Sequence, residues 1–331
     1  MMKQIIQQLT NSRRVLLASH ANPDGDAIGA LLAMGIAMQQ RGCEVTLYNE
    51  SAIPAVYRFL PAVETIQKTL ADPARFDTAI VLDCGSLGRV GAASDAIGAV
   101  PVLINIDHHT TNTQFGQHNL VDVTACATSE IVYRLVRAMD IAVDVAMATA
   151  IYTGILTDTG SFRFSNTNRA AFSICEAMVA AGVEPSTVAQ HVYGTYSLGR
   201  IKLLNLALDS IEISSNGYLS IMTVTRDMLK ETGTQPEDAD GLINYARRIR
   251  DVKVAALIRE LEDGEVQADG RRPFHVSLRS DGSVDVSRIA MRFGGGGHAG
   301  AAGFSMASRL PELKRTISNL SDGFSEACQL N

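Results

Sequence analysis

Apolar residues along the first half of the chain occur in short runs and in longer periodic stretches, which predict strands and helices respectively. The short runs have strand length and occupy residues 15–18, 44–48, 78–82 and 102–106. The stretches with helical spacing occupy residues 1–10, 27–40, 129–139, 145–156 and 169–181. Strands that alternate with helices are typical of a parallel sheet, so we predict a doubly wound, mostly parallel α/β domain.

The second half of the chain predicts a smaller α/β domain. Strands are predicted at residues 218–224, 252–258 and 274–278, and helices at 197–213 and 236–248. Residues 186–200 are predicted as a linker, which separates a domain at 1–185 from a domain at 201–331. Four successive glycines, Gly294 to Gly297, then precede His298. Such a run lets backbone N–H groups approach an anion or a base, although glycine runs also form flexible loops.

Polar residues follow the predicted strands of the first half at their carboxyl ends. The strands lead to His20, Asp24 and Asp26, to Asp83, and to Asp107-His108-His109, and a helix leads to Asp158. In a parallel sheet these ends share one edge, which is where open α/β sheets bind ligands. Each residue taken singly is also explained as a helix cap, a turn former or a buried polar partner. Their common placement favours a single site.

The candidate ligands at this edge are four aspartates and two histidines, namely His20, Asp24, Asp26, Asp83, His108 and Asp158. Carboxylates that share a site repel one another and raise each other's pKa, and divalent metal ions resolve that conflict. Aspartate oxygen with some histidine nitrogen and no cysteine suits Mn²⁺ or Mg²⁺, with Zn²⁺ or Co²⁺ as substitutes. Asp83 stands alone between the other clusters and is the natural bridge between two ions ~3.5–4 Å apart, as in phosphoryl hydrolysis.

Composition and charge narrow the class of protein. The 331 residues are 46% hydrophobic, which is typical of a globular protein. The net charge of −6, from 29 basic and 35 acidic residues, argues against a broad electrostatic grip on long nucleic acid. No apolar run approaches the ~20 residues of a membrane span, and residues 1–14 do not resemble a signal peptide. The five scattered cysteines predict reduced thiols, so we expect a cytoplasmic protein without a membrane partner.

The series His20-x-x-x-Asp24-x-Asp26, Asp83, Asp107-His108-His109 and Asp158 resembles the DHH phosphoesterase superfamily across the first half of the chain. The resemblance implies two divalent metal ions, Mn²⁺ first, with Mg²⁺ or Co²⁺ as alternatives. One ion would be held by His20, Asp24 and Asp83, and the other by Asp26, Asp83, His108 and Asp158. The resemblance also implies catalytic roles for Asp83 and for His109, which would face the phosphate. Asp107 would support the histidines from outside the metal ligands.

The Gly-Gly-Gly-Gly-His run of the second half resembles the DHH-associated C-terminal domain, so the resemblance spans most of the chain. In that family this domain faces the metal site across a cleft and binds the nucleotide. The resemblance therefore implies substrate contacts from Arg279, Ser280, Gly295, Gly296, Gly297 and His298. An arginine suits this role because its guanidinium can donate two hydrogen bonds to one phosphate.

The compact two-domain organisation resembles the branch of the superfamily that combines oligoribonuclease and phosphatase activities. It implies hydrolysis of short oligoribonucleotides to mononucleotides and of 3′-phosphoadenosine 5′-phosphate (pAp) to AMP, and it suggests a homodimer. The expected chemistry is attack on phosphorus by water that the two cations activate, with His109 stabilising charge on the phosphate. Three alternatives stay open: a cyclic or linear dinucleotide phosphodiesterase, a pyrophosphatase or exopolyphosphatase, and a nucleotide-binding module without catalytic activity.

Overall fold

Strands and helices alternate through the first unit of the protein. The structure is a computed structural model, and it describes residues 2–194, 196–261 and 269–324 of the whole chain. The strands of the first unit are β1 (Arg14–Ser19), β2 (Glu44–Tyr48), β3 (Ile66–Gln67), β4 (Thr78–Leu82), β5 (Val102–Asp107) and β6 (His118–Val121). Its helices are α1 (Met2–Asn11), α2 (Gly25–Gln40), α3 (Ser94–Gly98), α4 (Thr128–Ala138), α5 (Val145–Asp158), α6 (Arg169–Ala180) and α7 (Pro185–Tyr193).

These strands form one parallel sheet in the order β3-β2-β1-β4-β5-β6. The chain builds outward from β1 to β3 and then returns to add β4 on the other side of β1. Open α/β sheets bind ligands outside the carboxyl ends of the strands at such a reversal. The prediction of an α/β fold with a mostly parallel sheet is confirmed, and Ser19 and Leu82, paired at the ends of β1 and β4, mark the reversal.

Apolar side chains fill two cores, one on each face of this sheet. On one face, Leu17, Ile80 and Ile104 are buried in a large core with helices α1, α2, α4, α5 and α6. On the other face, Leu16 and Val81 join a smaller core with α3 and short 3₁₀ turns. Helix α2 is buried along most of its length because it lies against both the sheet and α5. This packing fixes the start of α2 beside the end of β1.

Helix α7 (Pro185–Tyr193) overlaps the first part of the segment 186–200 that the sequence predicts as a linker. Its Val188 and Val192 are buried in the large core of the first unit, and Pro185 occupies its first turn. Apolar residues four positions apart share a helix face, so this short segment buries a stripe of its own. Residues 185–193 are therefore packed helix, and the chain divides into compact units at Met1–Thr195 and Tyr196–Asn331.

The second unit is also built from strands and helices. Its strands are β7 (Glu212–Ile213), β8 (Leu219–Val224), β9 (Val254–Glu260), β10 (Arg272–Ser280), β11 (Gly296–His298) and β12 (Ala301–Ser308). Its helices are α8 (Leu198–Asp209), α9 (Arg226–Thr232), α10 (Ile243–Arg247), α11 (Val286–Met291) and α12 (Leu310–Ser318). The strand order is β11-β12-β10-β9-β8-β7, in which β8 and β9 pair in parallel and the other pairs are antiparallel. No helix among the described residues is long and apolar enough to cross a membrane.

Two helices of the second unit are shorter than the sequence predicts. The helix predicted at 197–213 ends at Asp209, because the Ser210 hydroxyl donates to a carbonyl of β8 and the next residues pair with that strand as β7. The helix predicted at 236–248 is interrupted by Asp240, whose extended backbone separates a 3₁₀ turn from α10. Apolar spacing continues through both breaks, so periodicity alone does not reveal them.

The second sheet is covered differently on its two faces. On one face, Phe274, Val276 and Leu278 pack against α11 and α12 in a buried core. On the other, helices α8, α9 and α10 cover β8 and β9, where Met222 and Leu257 are buried. Side chains of β10 that point to this second face alternate with the buried ones and are partly exposed.

Candidate metal centre and substrate-binding face

The predicted metal ligands of the first unit lie at the carboxyl edge of the parallel sheet. His20 follows β1, Asp24 and Asp26 begin α2, Asp83 follows β4, His108 follows β5, and Asp158 ends α5. Two sets of three donors have ligand atoms within 4.8 Å of one another: His20, Asp24 and Asp83 form one, and Asp26, Asp83 and His108 form the other. Asp83 is common to both sets, so the two groups of donors meet at this carboxylate.

The backbone holds Asp83 between these donors. Its φ is +54°, in the left-handed region that aspartate tolerates better than most residues, and its N–H donates to the Ile106 carbonyl at 3.0 Å. The two carboxylate oxygens serve different neighbours: Oδ2 lies 3.5 Å from His20 Nε2, and Oδ1 lies 3.7 Å from His108 Nε2. Oδ1 also accepts a hydrogen bond from the Thr128 hydroxyl at 3.0 Å.

Backbone carbonyls orient the two imidazoles that face Asp83. Nδ1 of His20 lies 2.9 Å from the Ala21 carbonyl, and Nδ1 of His108 lies 3.4 Å from the Ala125 carbonyl. A carbonyl only accepts, so each Nδ1 carries a proton and each Nε2 of the neutral ring keeps a lone pair. Metal-binding histidines are commonly fixed by a second hydrogen bond of this kind. With Nδ1 protonated, a ring that loses its Nε2 proton to a metal ion would present the Nε2 lone pair on the side of the carboxylates.

Helix N-termini hold the carboxylates of Asp24 and Asp26. Asp24 caps α2, and its Oδ1 accepts the N–H groups of Asp26 and Ala27 at 3.1 and 3.0 Å. Asp26 is 1% exposed, and its oxygens accept the N–H groups of Thr128 and Ser129 at the start of α4, at 2.6 and 2.9 Å. An oxygen that accepts one hydrogen bond keeps another lone pair, so capping does not prevent metal binding.

Asp158 is positioned by a hydrogen bond from an asparagine and by the close approach of α5 to Asp26. Nδ2 of Asn166 donates to Asp158 Oδ2 at 3.1 Å and to the Cys126 carbonyl at 2.8 Å. Gly154 lets α5 approach Asp26, because a Cβ at this position would lie 2.8 Å from Asp26 Oδ1. Asp158 Oδ2 consequently lies 3.6 Å from His108 Nε2, beside the other donors.

Burial and charge repulsion change the pKa values of the aspartates and histidines in the site. Burial raises the pKa of Asp26 to about 7, with the Asp83 charge adding to the effect, and it raises the pKa of Asp158 well above its usual range. Burial also opposes charge on Asp83, but the His20 hydrogen bond and the neighbouring imidazoles hold the pKa of Asp83 far below normal. Similarly, burial opposes protonation of His108, yet the charges of Asp158 and Asp83 raise its pKa to about 9. Divalent cations at these oxygens would remove the repulsion.

The donor set fits divalent cations in geometry and in chemistry. Ligands ~2.1 Å from one cation stand roughly 3.0–3.4 Å apart when adjacent and about 4.2 Å apart when opposite. The nitrogen–oxygen distances of 3.5, 3.7 and 3.6 Å from the two imidazoles to Asp83 and Asp158 fall between these limits. They exceed the length of an ordinary hydrogen bond. Oxygen and imidazole donors without thiolate suit Mn²⁺, Mg²⁺ or Zn²⁺.

Asp107 and His109 form a separate hydrogen-bonded pair beside the metal ligands. Asp107 is fully buried, and its oxygens accept from His109 Nδ1 at 2.7 Å and from Asn112 Nδ2 at 2.6 Å. Burial opposes its ionisation, but these interactions, with His109 foremost, lower the pKa of Asp107. The ionised carboxylate fixes the His109 ring through Nδ1. His109 is also more exposed than His108, with 12% against 7% of its side chain accessible, so its Nε2 side suits contact with a substrate.

In the second unit, strand register places several predicted substrate-binding residues on one face. Three rows run across the strands on this face: Arg279, Ala301 and His298; Ser277, Gly303 and Gly296; and Arg259, His275 and Ser305. We call these nine residues the open sheet face. Directly opposite residues of neighbouring strands share a face, so Arg279, Gly296 and His298 lie together as a common substrate site requires.

Ser280 lies on the opposite face from Arg279. It is 3% exposed, and its hydroxyl accepts the N–H groups of Gly282 and Val284 at 3.0 and 3.3 Å. These bonds close the turn after β10. The expectation that the Ser280 side chain contacts substrate therefore conflicts with its geometry, because successive strand residues point to opposite faces.

The glycine run is partly strand, and its members differ in what surrounds them. Gly296 and Gly297 pair with β12, so this part of the run is strand and not the flexible loop that was the other interpretation of its sequence. A Cβ at Gly295 would overlap the Gly303 carbonyl, and Gly297 has φ of +140°, so both positions require glycine for packing or backbone conformation. A Cβ at Gly296 would meet open space. Of these three glycines, Gly296 is the one best placed to let a ligand approach.

Sequence reasoning missed three residues that donate hydrogen bonds to aspartates of the candidate metal centre: Thr128, Asn112 and Asn166. Thr128 is 45 positions from its partner Asp83, so no local motif marks it. Asn112 and Asn166 follow Asp107 and Asp158 by five and eight positions and bond to them. An amide in the polar turn after a candidate ligand is a signal that could have indicated both asparagines.

Fold and site together define a two-domain α/β protein with a cluster of aspartates and histidines that could hold metal ions at the carboxyl edge of a parallel sheet. Residues 14–155 match the DHH family, N-terminal domain, and residues 218–322 match the DHHA1 domain. The chain belongs to the DHH family, which is metal-dependent.

Relatives of known name match the chain over both units. The bifunctional oligoribonuclease and PAP phosphatase NrnA of Thermus thermophilus is 32% identical over 295 residues, which cover 88% of this chain and 84% of the relative. The protein of the same name from Bacillus subtilis is 24% identical over 323 residues and is covered, like this chain, to 97%. The crystal structure of an exopolyphosphatase-related protein from Bacteroides fragilis superposes with a TM-score of 0.87 at 26% identity, covering 98% of this chain and 97% of that one.

Proposed function

We propose that this protein is a metal-dependent phosphoesterase that hydrolyses short oligoribonucleotides to mononucleotides and pAp to AMP. The observation that carries the proposal is the pair of donor sets that share Asp83 at the carboxyl edge of the sheet. The substrate class is supported by relatives named oligoribonuclease and PAP phosphatase. A net charge of −6 also suits short substrates better than long strands.

The metal ligands are proposed as two sets that share one carboxylate. One divalent ion would be held by His20, Asp24 and Asp83, and the second by Asp26, Asp83, His108 and Asp158. When bound, such ions polarise phosphate oxygens and lower the pKa of water. We propose Mn²⁺ as the preferred ion, with Mg²⁺ or Co²⁺ as alternatives, because the donors are mostly carboxylate oxygens with two imidazole nitrogens.

Side chains of the protein would bind the phosphate and supply a proton to the leaving oxygen. Asp107 holds the His109 ring through Nδ1, and a protonated His109 can donate from Nε2 to a phosphate oxygen, where negative charge develops during hydrolysis. We propose that this Nε2 proton is transferred to the leaving oxygen, with the Asp107 carboxylate stabilising the imidazolium until then. Arg279 and His298 of the open sheet face would contact a base or a phosphate of the substrate.

Mn²⁺-dependent release of mononucleotide from an RNA pentanucleotide tests the proposal, with pAp and a cyclic dinucleotide measured in parallel. Asp83→Asn is the informative variant, because asparagine tolerates the left-handed backbone and keeps the shape of the side chain. It should lower release from both RNA and pAp by about 1000-fold or more. Asp72→Asn, which removes the same charge from an exposed position, is the matched control and should retain activity.

Two results would overturn the proposal in different ways. Full activity in the presence of a strong chelator would contradict the metal centre. Activity on the cyclic dinucleotide alone, abolished by Asp83→Asn, would keep the centre and move the protein to the dinucleotide phosphodiesterases.

Two further expectations accompany this function and stay predictions. A cytoplasmic location is consistent with thiols that are buried and unpaired at Cys84, Cys126 and Cys175. A homodimer rests on family resemblance, and sedimentation of the purified protein tests it.

A further inference from the structure

The peptide group between His20 and Ala21 is hydrogen-bonded on both sides. Its carbonyl oxygen accepts from Asn49 Nδ2 at 2.8 Å, and its N–H donates to the Arg89 carbonyl at 2.7 Å. Asn49 follows β2, and Arg89 lies in a 3₁₀ turn after β4, so the bonds come from beyond both strands that flank β1. Hydrogen bonds are directional, so a peptide plane held at both ends cannot rotate without breaking one of them. The backbone just after His20 is therefore fixed.

The next peptide group, between Ala21 and Asn22, is held in the same way and orients the His20 ring. Its carbonyl oxygen accepts from His20 Nδ1 at 2.9 Å. Its N–H donates to the Ser51 hydroxyl at 2.8 Å, and Asn22 has a φ of +55°, which asparagine tolerates better than most residues. Because the ring bonds to this peptide group, the bonds that fix the group also direct His20 Nε2 towards Asp83 Oδ2, 3.5 Å away.

Asn49 and Ser51 are linked to each other by a hydrogen bond. Asn49 is fully buried, and its Oδ1 accepts the Ser51 N–H at 3.0 Å. Its Nδ2 donates to the Ser19 hydroxyl at 2.9 Å as well as to the His20 carbonyl. A buried amide is costly unless its donors and acceptor are paired, and both N–H groups of this one are used at the end of β1. The contacts of Asn49 thus explain why a polar side chain is buried here.

Glu50 joins the same segment to the turn that contains Arg89. Its Oε2 accepts the Ala92 N–H at 2.8 Å. A Cβ at Gly91 would overlap the Glu50 carboxylate, so glycine at this position, with φ of +92°, lets the carboxylate pack against the turn. The segments that follow β1, β2 and β4 are therefore each bonded to the other two, and His20 is carried by the first of them.

We propose that Asn49 and Ser51 are positioning residues that set the affinity of one divalent ion, namely the ion assigned to the donor set that contains His20. This donor set rests on the function proposed above. A ligand that is already directed at the ion loses less freedom on binding, so the bonds that hold the His20 ring strengthen binding. The second donor set contains His108 instead of His20, so its ion should be less affected.

A double-mutant cycle in Mn²⁺ binding to the full chain tests this coupling. Asn49→Ala should weaken the binding of one Mn²⁺ ion by about 10-fold, measured by calorimetry, as for other groups that orient a ligand. On a His20→Ala background the same substitution should not weaken Mn²⁺ binding further, because the side chain that it orients is gone. Thr46→Val is the matched control. Thr46 is buried on β2 and accepts a hydrogen bond from Arg75, so its loss should affect stability but leave Mn²⁺ binding unchanged.

Ser51 provides a milder test, because its side chain is partly exposed. Ser51→Ala removes the acceptor of the Asn22 N–H and should weaken the same ion by about 5-fold, which corresponds to one hydrogen bond. In a chelator, NMR should show faster hydrogen exchange of the Asn22 amide in this variant, which reports on the bond without metal or substrate. Ser51→Thr keeps the hydroxyl and should match the original protein in both measurements.

The outcomes separate this inference from the proposed function. Equal weakening by Asn49→Ala with and without His20, or unchanged Mn²⁺ binding in Asn49→Ala and Ser51→Ala, would overturn the positioning role and leave the proposed hydrolysis intact. The predicted coupling in a protein that hydrolyses neither RNA nor pAp would support the positioning role and overturn the hydrolysis. If Asn49→Ala does not fold, Ser51→Ala decides the matter. Unchanged Mn²⁺ affinity in a Ser51→Ala variant whose Asn22 amide exchanges faster would overturn the inference.

Discussion

The candidate metal centre of the first unit and the open sheet face of the second unit position their side chains by different rules. In the metal centre, donors come from residues just beyond a strand or at a helix end, and backbone groups fix them, as Ile106 fixes Asp83 and Ala21 fixes His20. On the open sheet face, side chains come from within strands, and neighbouring residues point to opposite sides.

This difference decides how well each region can be recognised from a motif. The carboxyl ends of parallel strands converge on one edge whatever their exact register, so a polar cluster after each strand is enough to indicate a site. The face that a mid-strand residue occupies depends on register, and a shift of one residue reverses it. Arg279 and Ser280 are adjacent in one motif, yet one faces outward and the other closes a turn.

Asp158→Asn tests the electrostatic conflict in the metal centre and is expected to have the largest effect. The amide keeps an oxygen that can accept from Asn166, but it lacks the negative charge that a divalent ion requires, so activity should fall by about 1000-fold. Burial raises the pKa of Asp158, so its charged form destabilises the metal-free protein. In a chelator at neutral pH, Asp158→Asn should therefore raise the free energy of unfolding by about 1–2 kcal/mol, measured by urea titration.

The control for this prediction is Asp72→Asn, which should change neither activity nor stability because Asp72 is exposed. If Asp158→Asn lowers both the activity and the free energy of unfolding, the prediction is wrong. The Asp158 carboxylate would then be stabilised by its neighbours in the metal-free protein.

Patterns local in sequence predicted the parallel sheet, and they predicted that the candidate metal ligands lie together at one edge of it. The strands expected at 44–48 and 78–82 match β2 and β4 residue for residue. Interactions between distant segments were not predictable in the same way. Thr128 supports Asp83 only because α4 begins beside β4 in the folded protein. The buried face of α7 was likewise missed, since a nine-residue helix gives too few periodic positions to distinguish it from a linker.

Three groups of the candidate metal centre should make the stability of the metal-free protein depend on pH. Between about pH 4 and 7, Asp26 keeps its proton in the folded protein, with a pKa of about 7, but loses it in the unfolded chain, so stability falls as pH rises. Above about pH 6.5, His108, with a folded pKa of about 9, acts in the same direction. Asp83 has a lowered pKa, so its contribution changes only below about pH 4.

The expected loss is a few kcal/mol of unfolding free energy between about pH 4 and 9, measured by urea unfolding in a chelator. Saturating Mn²⁺ should reverse the trend at neutral pH, because binding to the folded state adds about 2.7 kcal/mol at 100 times the dissociation constant. If the stability of the metal-free protein is constant across this range, burial and charge repulsion do not raise the pKa of Asp26 as described.

Thr128→Val tests whether contacts behind the ligands matter as much as the ligands themselves. Valine has the shape of threonine but lacks the hydroxyl that donates to Asp83, while the backbone N–H of residue 128 still reaches Asp26. We expect about 10-fold weaker Mn²⁺ binding by calorimetry, as for other groups that orient a ligand. Thr128→Ser keeps the hydroxyl and should bind as the original protein does. Equal affinity in Thr128→Val would show that the backbone alone fixes Asp83.

Ser280→Ala gives the smallest expected effect and tests the open sheet face most directly. The hydroxyl closes the turn after β10, so its loss should lower the free energy of unfolding by about 1 kcal/mol and leave KM for RNA unchanged. Arg279→Ala should do the opposite, raising KM with little change in stability, because Arg279 lies on the open sheet face. An increase of KM in Ser280→Ala at unchanged stability would mean that the hydroxyl reaches the substrate. The alternation along β10 would then fail to explain why two adjacent residues of one motif have different functions.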